Sequence, residues 1–177
     1  MKSDQEDKMD MQETMEAYQK LAIPGEPHKM MARWEGSWDI RMKSWMEPDQ
    51  PPVESKGTAE YRTILGGRFL QEEIQSEMMG SPYNGRGFMG YDNNTGKYTT
   101  VWIDDMSTSI MVFEGTASPD GKTITQTSHY DDPIQGPMDF RTVTTIMDDD
   151  TQGFEMYTTG KTGKEEKMME IVYTRKQ

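Results

Sequence analysis

The residues with chemistry to offer are two histidines, a Gly-x-Gly-x-x-Gly run, several acidic clusters, a few strand-embedded arginines and 18 methionines. His28 and His129 cannot build a site that needs three imidazoles. Cysteine is absent, which excludes disulfides, zinc–thiolate sites, iron–sulfur clusters and thiol nucleophiles. His129 comes after Thr123, Thr125 and Thr127 at alternate positions. If that face is internal, its imidazole can hydrogen-bond a ligand. Arg86 and Arg141 are flanked by apolar or aromatic residues, so that either, facing inward, can take a carboxylate by two parallel hydrogen bonds. No Gly-x-Ser-x-Gly motif is present, and neither histidine has an evident serine partner.

Gly85-Arg86-Gly87-Phe88-Met89-Gly90 has the letters of a dinucleotide fingerprint without its setting. The next residues, Tyr91-Asp92-Asn93-Asn94-Thr95-Gly96, make a hairpin turn and not a helix N-terminus. The glycines are better suited to easing strand curvature or letting a neighbour approach the backbone. Asp131-Asp132 and Asp148-Asp149-Asp150 lack the spaced oxygens of a calcium loop and read as hairpin acids. Asp104 is different. It shares one strand face with Tyr98, Thr100 and Trp102, which sets a carboxyl group beside an aromatic ring. The methionines are scattered, so they suit an adaptable apolar lining or ordinary core filling better than thioether ligation of a metal. No catalytic set, metal site or cofactor is expected.

The scaffold that carries these side chains can be read from composition and periodicity. The chain has 177 residues, enough for one domain with a buried core, and 31 acidic against 19 basic residues give a net charge of -12. That field repels phosphate, so neither nucleic acid nor an anionic membrane surface is expected as a partner. No run approaches the length of apolar residues needed to span a bilayer, and the acidic start lacks the pattern of a secretory leader. A cytoplasmic location is expected, or export if a leader has been removed. Residues 4 to 22 are rich in helix formers and free of Gly and Pro, with Met11, Met15 and Tyr18 on one face. Residues 1–27 are therefore expected to form a helical arm, packed on its own domain, packed on the mate in a homodimer or frayed in solution, with a docking helix for a specific partner as the alternative. A second short helix is expected from His28 to Glu35.

From Ser37 the period changes to two, with turn clusters every 8 to 14 residues, among them Gly66-Gly67, Pro119-Asp120-Gly121 and Gly160-Lys161-Thr162-Gly163. Trp38, Ile40 and Met42 alternate with charged residues, and the proline-rich stretch at 48–52 closes that first strand. About ten strands succeed one another with no helical crossover. Closure removes the two open edges such a meander would otherwise expose, so residues 28–177 are expected to form an all-β, antiparallel up-and-down β-barrel, with a two-sheet sandwich, which needs longer cross-connections than most of these turns offer, as the alternative.

The ordered set Trp34-Glu35-Gly36-Ser37-Trp38, Leu65-Gly66-Gly67-Arg68-Phe69-Leu70, Gly85 to Asp92, Trp102-Ile103-Asp104, Glu114-Gly115-Thr116, Asp131-Asp132-Pro133 and Met169 to Thr174 resembles an uncharacterised, largely bacterial family of lipocalin-like domains. The resemblance runs from about His28 to Arg175 and implies a calycin-type barrel. It carries over no catalytic residue, and a fold of this kind does not itself supply a function.

Taking the face with more large apolar groups as internal gives Tyr61, Trp102, Phe113, Phe140 and Met156 as candidate lining, with His129 or Arg141 as polar anchors. Phe140 and Arg141 lie on opposite faces, so only one of them can point inward. The expected function is binding of a small, mainly hydrophobic molecule inside the barrel. The alternatives are an enzyme acting on such a molecule and an interaction protein with a filled barrel.

Overall fold

The structure, a computed structural model, describes residues 4–177 apart from 48, 79, 135, 161 and 162, and the side chains from Asp10 onward. Pro48, Lys161 and Thr162 of the expected turns thus lie outside the described residues. Two helices, α1 (Asp4–Leu21) and α2 (Glu26–Ala32), precede ten strands: β1 (Gly36–Ser44), β2 (Val53–Ile64), β3 (Phe69–Met78), β4 (Ser81–Asp92), β5 (Lys97–Asp104), β6 (Met111–Ala117), β7 (Thr123–Asp132), β8 (Gly136–Ile146), β9 (Thr151–Thr159) and β10 (Glu165–Arg175). Every strand pairs antiparallel with its chain neighbours, and β1 also pairs with β10, closing the barrel. The all-β, up-and-down barrel expected from strand period and turn chemistry is the observed architecture.

Alternation sets the two faces of the wall. Trp38, Ile40 and Met42 of β1 are buried while Asp39, Arg41 and Lys43 between them are not. The same parity buries Ala59 and Tyr61 on β2, Leu70 and Ile74 on β3, Ile124 and Gln126 on β7, and Ile171 and Tyr173 on β10. A one-residue slip in any of these would turn its apolar set to water, which fixes the register.

One end of the barrel is plugged. α2 packs there against β2, β3 and β4, and its His28 is buried. Gly25 N–H donates to His28 Nδ1 from 3.0 Å, so Nε2 carries the proton and donates to the Tyr91 carbonyl at 3.0 Å. Trp38 is 0 % exposed and gives its indole N–H to the Trp34 carbonyl at 2.9 Å. Arg175, its partner in the β1–β10 register, stacks 4.2 Å over the Trp38 ring. Its guanidinium also donates to the carbonyls of Glu35 at 2.8 Å and Arg33 at 2.6 Å. The last strand is thereby tied to the segment that closes the floor.

The arm forms the expected helix, α1. Met11, Met15 and Tyr18 of α1 are exposed rather than packed on the barrel. Their stripe is one residue wide among charged neighbours and offers too little apolar area to hold a helix down. Asn93 holds the end of the arm by donating to the carbonyls of Leu21 at 2.8 Å and Ile23 at 2.9 Å. α2 ends at Ala32, earlier than the expected Glu35, because Trp34 and Glu35 turn the chain into β1. Among the described residues no helix is long and apolar enough to cross a membrane.

Candidate functional site

The inward faces leave a mainly apolar cavity of about 310 Å³. That volume lies at the small end of the range of ligand pockets. Eight methionines border it, among them Met42 and Met89 on the strands and Met106 in the loop after β5. A methionine lining of this kind conforms to irregular apolar shapes because each side chain has three soft torsions and a polarisable sulfur.

Five of the seven residues singled out in the sequence stand on the cavity wall: Tyr61, Trp102, Phe113, Phe140 and Met156. They come from five strands whose pairing brings them around one space. His129 and Arg141 do not join them. His129 is exposed on the outer face, where Nδ1 lies 2.7 Å from Asp139 Oδ1 and Nε2 lies 3.6 Å from Asp131. The hydrogen bond to Asp139 raises its pKa above the usual imidazole value. Arg141 donates twice to Glu165, at 2.7 and 2.6 Å, and stacks 4.2 Å over Tyr157. The physical reason is parity: on β7 the buried residues are Ile124 and Gln126, which turns the Thr123–Thr125–Thr127–His129 face to solvent, and on β8 Phe140 takes the inward position that Arg141 would need.

Two carboxyl-centred groups interrupt the apolar wall, beside the amides of Gln126 and Gln152 and three threonines. The first was missed by sequence reasoning. Glu72 on β3 faces the cavity between Leu70 and Ile74, and its Oε1 accepts from the phenols of Tyr61 at 2.8 Å and Tyr173 at 3.0 Å. Tyr61 packs edge-on against Trp34 and Trp38, with centroids 6.0 and 6.3 Å away, so this carboxyl group sits by the plugged end. Removal from water pushes its pKa up to about 7, and the two phenolic hydrogen bonds pull only partly against that. Burial, and then the neighbouring Glu72, hold the Tyr61 phenol well above its ordinary value. The signal was present in the spacing, since Glu72 shares a face with Leu70 and Ile74. It was masked by its neighbours Gln71 and Glu73, which make the triplet read as a solvated edge.

The second group lies toward the open end, where β5 finishes. The Trp102 indole N–H is 3.2 Å from both Tyr83 Oη and Asp104 Oδ2, and the Tyr83 hydroxyl donates to Asp104 at 3.3 Å. Burial raises the Tyr83 pKa far above that of a free phenol. The glycine run explains itself here. A Cβ on Gly85 would lie 2.2 Å from the Trp102 ring and one on Gly87 2.9 Å, so the indole occupies the space these two side chains lack. The run is a seat for a tryptophan, in keeping with its hairpin setting.

Among the described residues no Lys, Arg or His borders the cavity, and no group of three or more His, Asp or Glu is placed to hold a metal ion. The arrangement can therefore enclose an apolar body and offer it two carboxyl groups, three phenols, an indole and, deeper on β7, the amide of Gln126, whose Oε1 accepts from Thr100 at 3.0 Å.

The fold is shared with solved structures of low sequence identity. Rv2717c from M. tuberculosis superposes with a TM-score of 0.63 at 16% identity, over 88% of this chain and 100% of that one. The S-type phycobiliprotein lyase CPES from Guillardia theta does so with a TM-score of 0.62 at 13% identity, over 84% of this chain and 92% of that one. No curated protein sequence matches significantly. Residues 23–175 match the model of a family described as a protein of unknown function, DUF1579. With its barrel and nearly all of its length covered by that match, the chain belongs to the DUF1579 family.

Proposed function

We propose that the protein binds one small, mainly apolar molecule in the barrel cavity. The carrying observation is a mainly apolar space of about 310 Å³ inside the barrel, with two carboxyl-centred hydrogen-bonding groups on its wall. A barrel serving only as a scaffold gains nothing by burying Glu72 there, because desolvating a carboxyl group costs stability unless something repays it. The likeness to a phycobiliprotein lyase supports the fold and leaves the guest to be argued from this chain's own lining. Tyr61, Trp102, Phe113, Phe140 and Met156 supply apolar contact, and Glu72 and Asp104 supply direction.

The test is a titration with N-phenyl-1-naphthylamine, a neutral apolar fluorophore, together with native mass spectrometry of the purified protein. One probe per chain, with quenched or shifted tryptophan emission, is the expected result. Failure of the probe to bind would place function elsewhere, on the outer surface or the arm.

A further inference from the structure

The cavity is polarised in one sense. Both of its ionisable acids, Glu72 and Asp104, are carboxyl groups, and among the described residues no basic side chain borders it. An acid of the guest would have no cation to meet and two like groups to face, which disfavours carboxylates of any shape.

Glu72 is also only half used. Both phenols converge on Oε1, and neither of these hydrogen bonds uses Oε2. A carboxyl oxygen left open on a cavity wall is an acceptor waiting for a donor from the guest. Around it stand the rings of Tyr61, Tyr173 and, farther along the wall, Tyr83 and Trp102. Aromatic faces stabilise a cation and have no such attraction for an anion. The chain's net charge of -12 adds a long-range field of the same sign.

We propose that the cavity selects an apolar molecule bearing a protonated amine, received by Glu72 Oε2, over a neutral or carboxylate-bearing molecule of the same shape. This rests on the cavity being the ligand site. The ammonium donates to Oε2 while the Tyr61 and Tyr173 phenols hold Oε1, so the carboxylate is orientated from one side and neutralised from the other. The rival arrangement is a protonated Glu72 donating to a neutral guest, and it makes the opposite forecast for proton exchange.

Octylamine, octanol and octanoate share one apolar tail and differ in head group, so the experiment measures how each displaces N-phenyl-1-naphthylamine from the full chain at pH 7. Octylamine is expected to displace at about tenfold lower concentration than octanol, with octanoate weakest. In Glu72→Gln the advantage of octylamine over octanol should vanish. To guard against an effect of that substitution on folding, a second measurement uses the unmodified protein: calorimetry of octylamine binding at pH 6 in two buffers of different ionisation enthalpy. The titratable groups around Glu72 are the phenols of Tyr61, Tyr173 and Tyr83, all held above their ordinary pKa, with Asp104 beyond them on Tyr83, so Glu72 is expected to release a proton as the amine arrives, whereas octanol should release none. Equal displacement by all three compounds, octanoate ahead of octylamine, or amine binding without proton release overturns the amine preference while leaving cavity binding intact. No displacement and no probe binding at all overturns the cavity reading itself, and the preference with it.

Discussion

Tyr173 on the last strand and Glu72 on the third are joined by a 3.0 Å hydrogen bond although 101 residues separate them in sequence. Tyr61, on the strand between β1 and β3, donates to the same carboxyl oxygen at 2.8 Å. Burial makes this carboxyl group a weaker acid than it is in the unfolded chain, with its pKa at about 7 against an ordinary 4.5. The unfolded chain therefore gives up the proton first as pH rises. Folding stability contributed by Glu72 is full below about pH 4.5 and falls as pH climbs toward 7, by roughly 3 kcal/mol in all.

Glu72→Gln has no such titration. Relative to the parent, the variant should gain about 2 to 3 kcal/mol between pH 4.5 and pH 8, read as the difference of urea midpoints at the two pH values. Differences between parent and variant cancel the response of the other acids. A constant difference across that range would mean that Glu72 is wet.

Trp38 is fully buried at the floor of the barrel. Trp38→Ala should cost about 3 to 5 kcal/mol in chemical denaturation, the range for emptying a large aromatic core position. A loss below about 1 kcal/mol would contradict its place between Trp34 and Arg175.

Gly85→Ala puts a methyl group 2.2 Å from the Trp102 ring, and the ring must swing off β4 to make room. The swing breaks its hydrogen bonds to Tyr83 and Asp104. A stability loss of about 1 to 3 kcal/mol and a shifted tryptophan emission maximum are expected. An unchanged spectrum would show that the indole does not rest on those glycines.

Trp102→Ala should weaken N-phenyl-1-naphthylamine by about tenfold, equivalent to about 1.4 kcal/mol, while circular dichroism stays that of a barrel. His129→Gln, on the outer face, should change the same affinity by less than about 0.5 kcal/mol. The reverse pattern would move the site from the interior to the outer face.

Periodicity carried the fold because nearly every connection is a short turn with Gly, Asn or Asp where the backbone needs them, and because Trp38, Ile40 and Met42 mark an unbroken inward stripe. The apolar part of the candidate site came from the same parity: large residues such as Trp102 and Phe140 identify the inside by size. Its polar part did not. Threonine favours strands whichever way it faces, so Thr123, Thr125 and Thr127 carried no information about His129. Gln126 and Glu72 stand inward because hydrogen-bond partners from other strands receive them, Tyr98 and Phe113 carbonyls for one and two phenols for the other. Such partners are invisible in any local window. The arm was legible as a helix from its own residues, whereas what it packs against depends on surfaces outside them.

The seam between β1 and β10 joins Trp38 to Arg175, whereas every other strand pairing joins neighbours in the chain. Hairpins of that kind zip early and cheaply, but the seam must wait for a loop of nearly the whole protein to close. During synthesis β10 leaves the ribosome after the other nine strands, so the nascent barrel stands open with β1 and β9 as bare edges until it arrives. A polypeptide that stops before Glu165 never escapes that state. It should pair edge to edge with its copies, making the eleven residues of β10 the difference between a closed barrel and an aggregate.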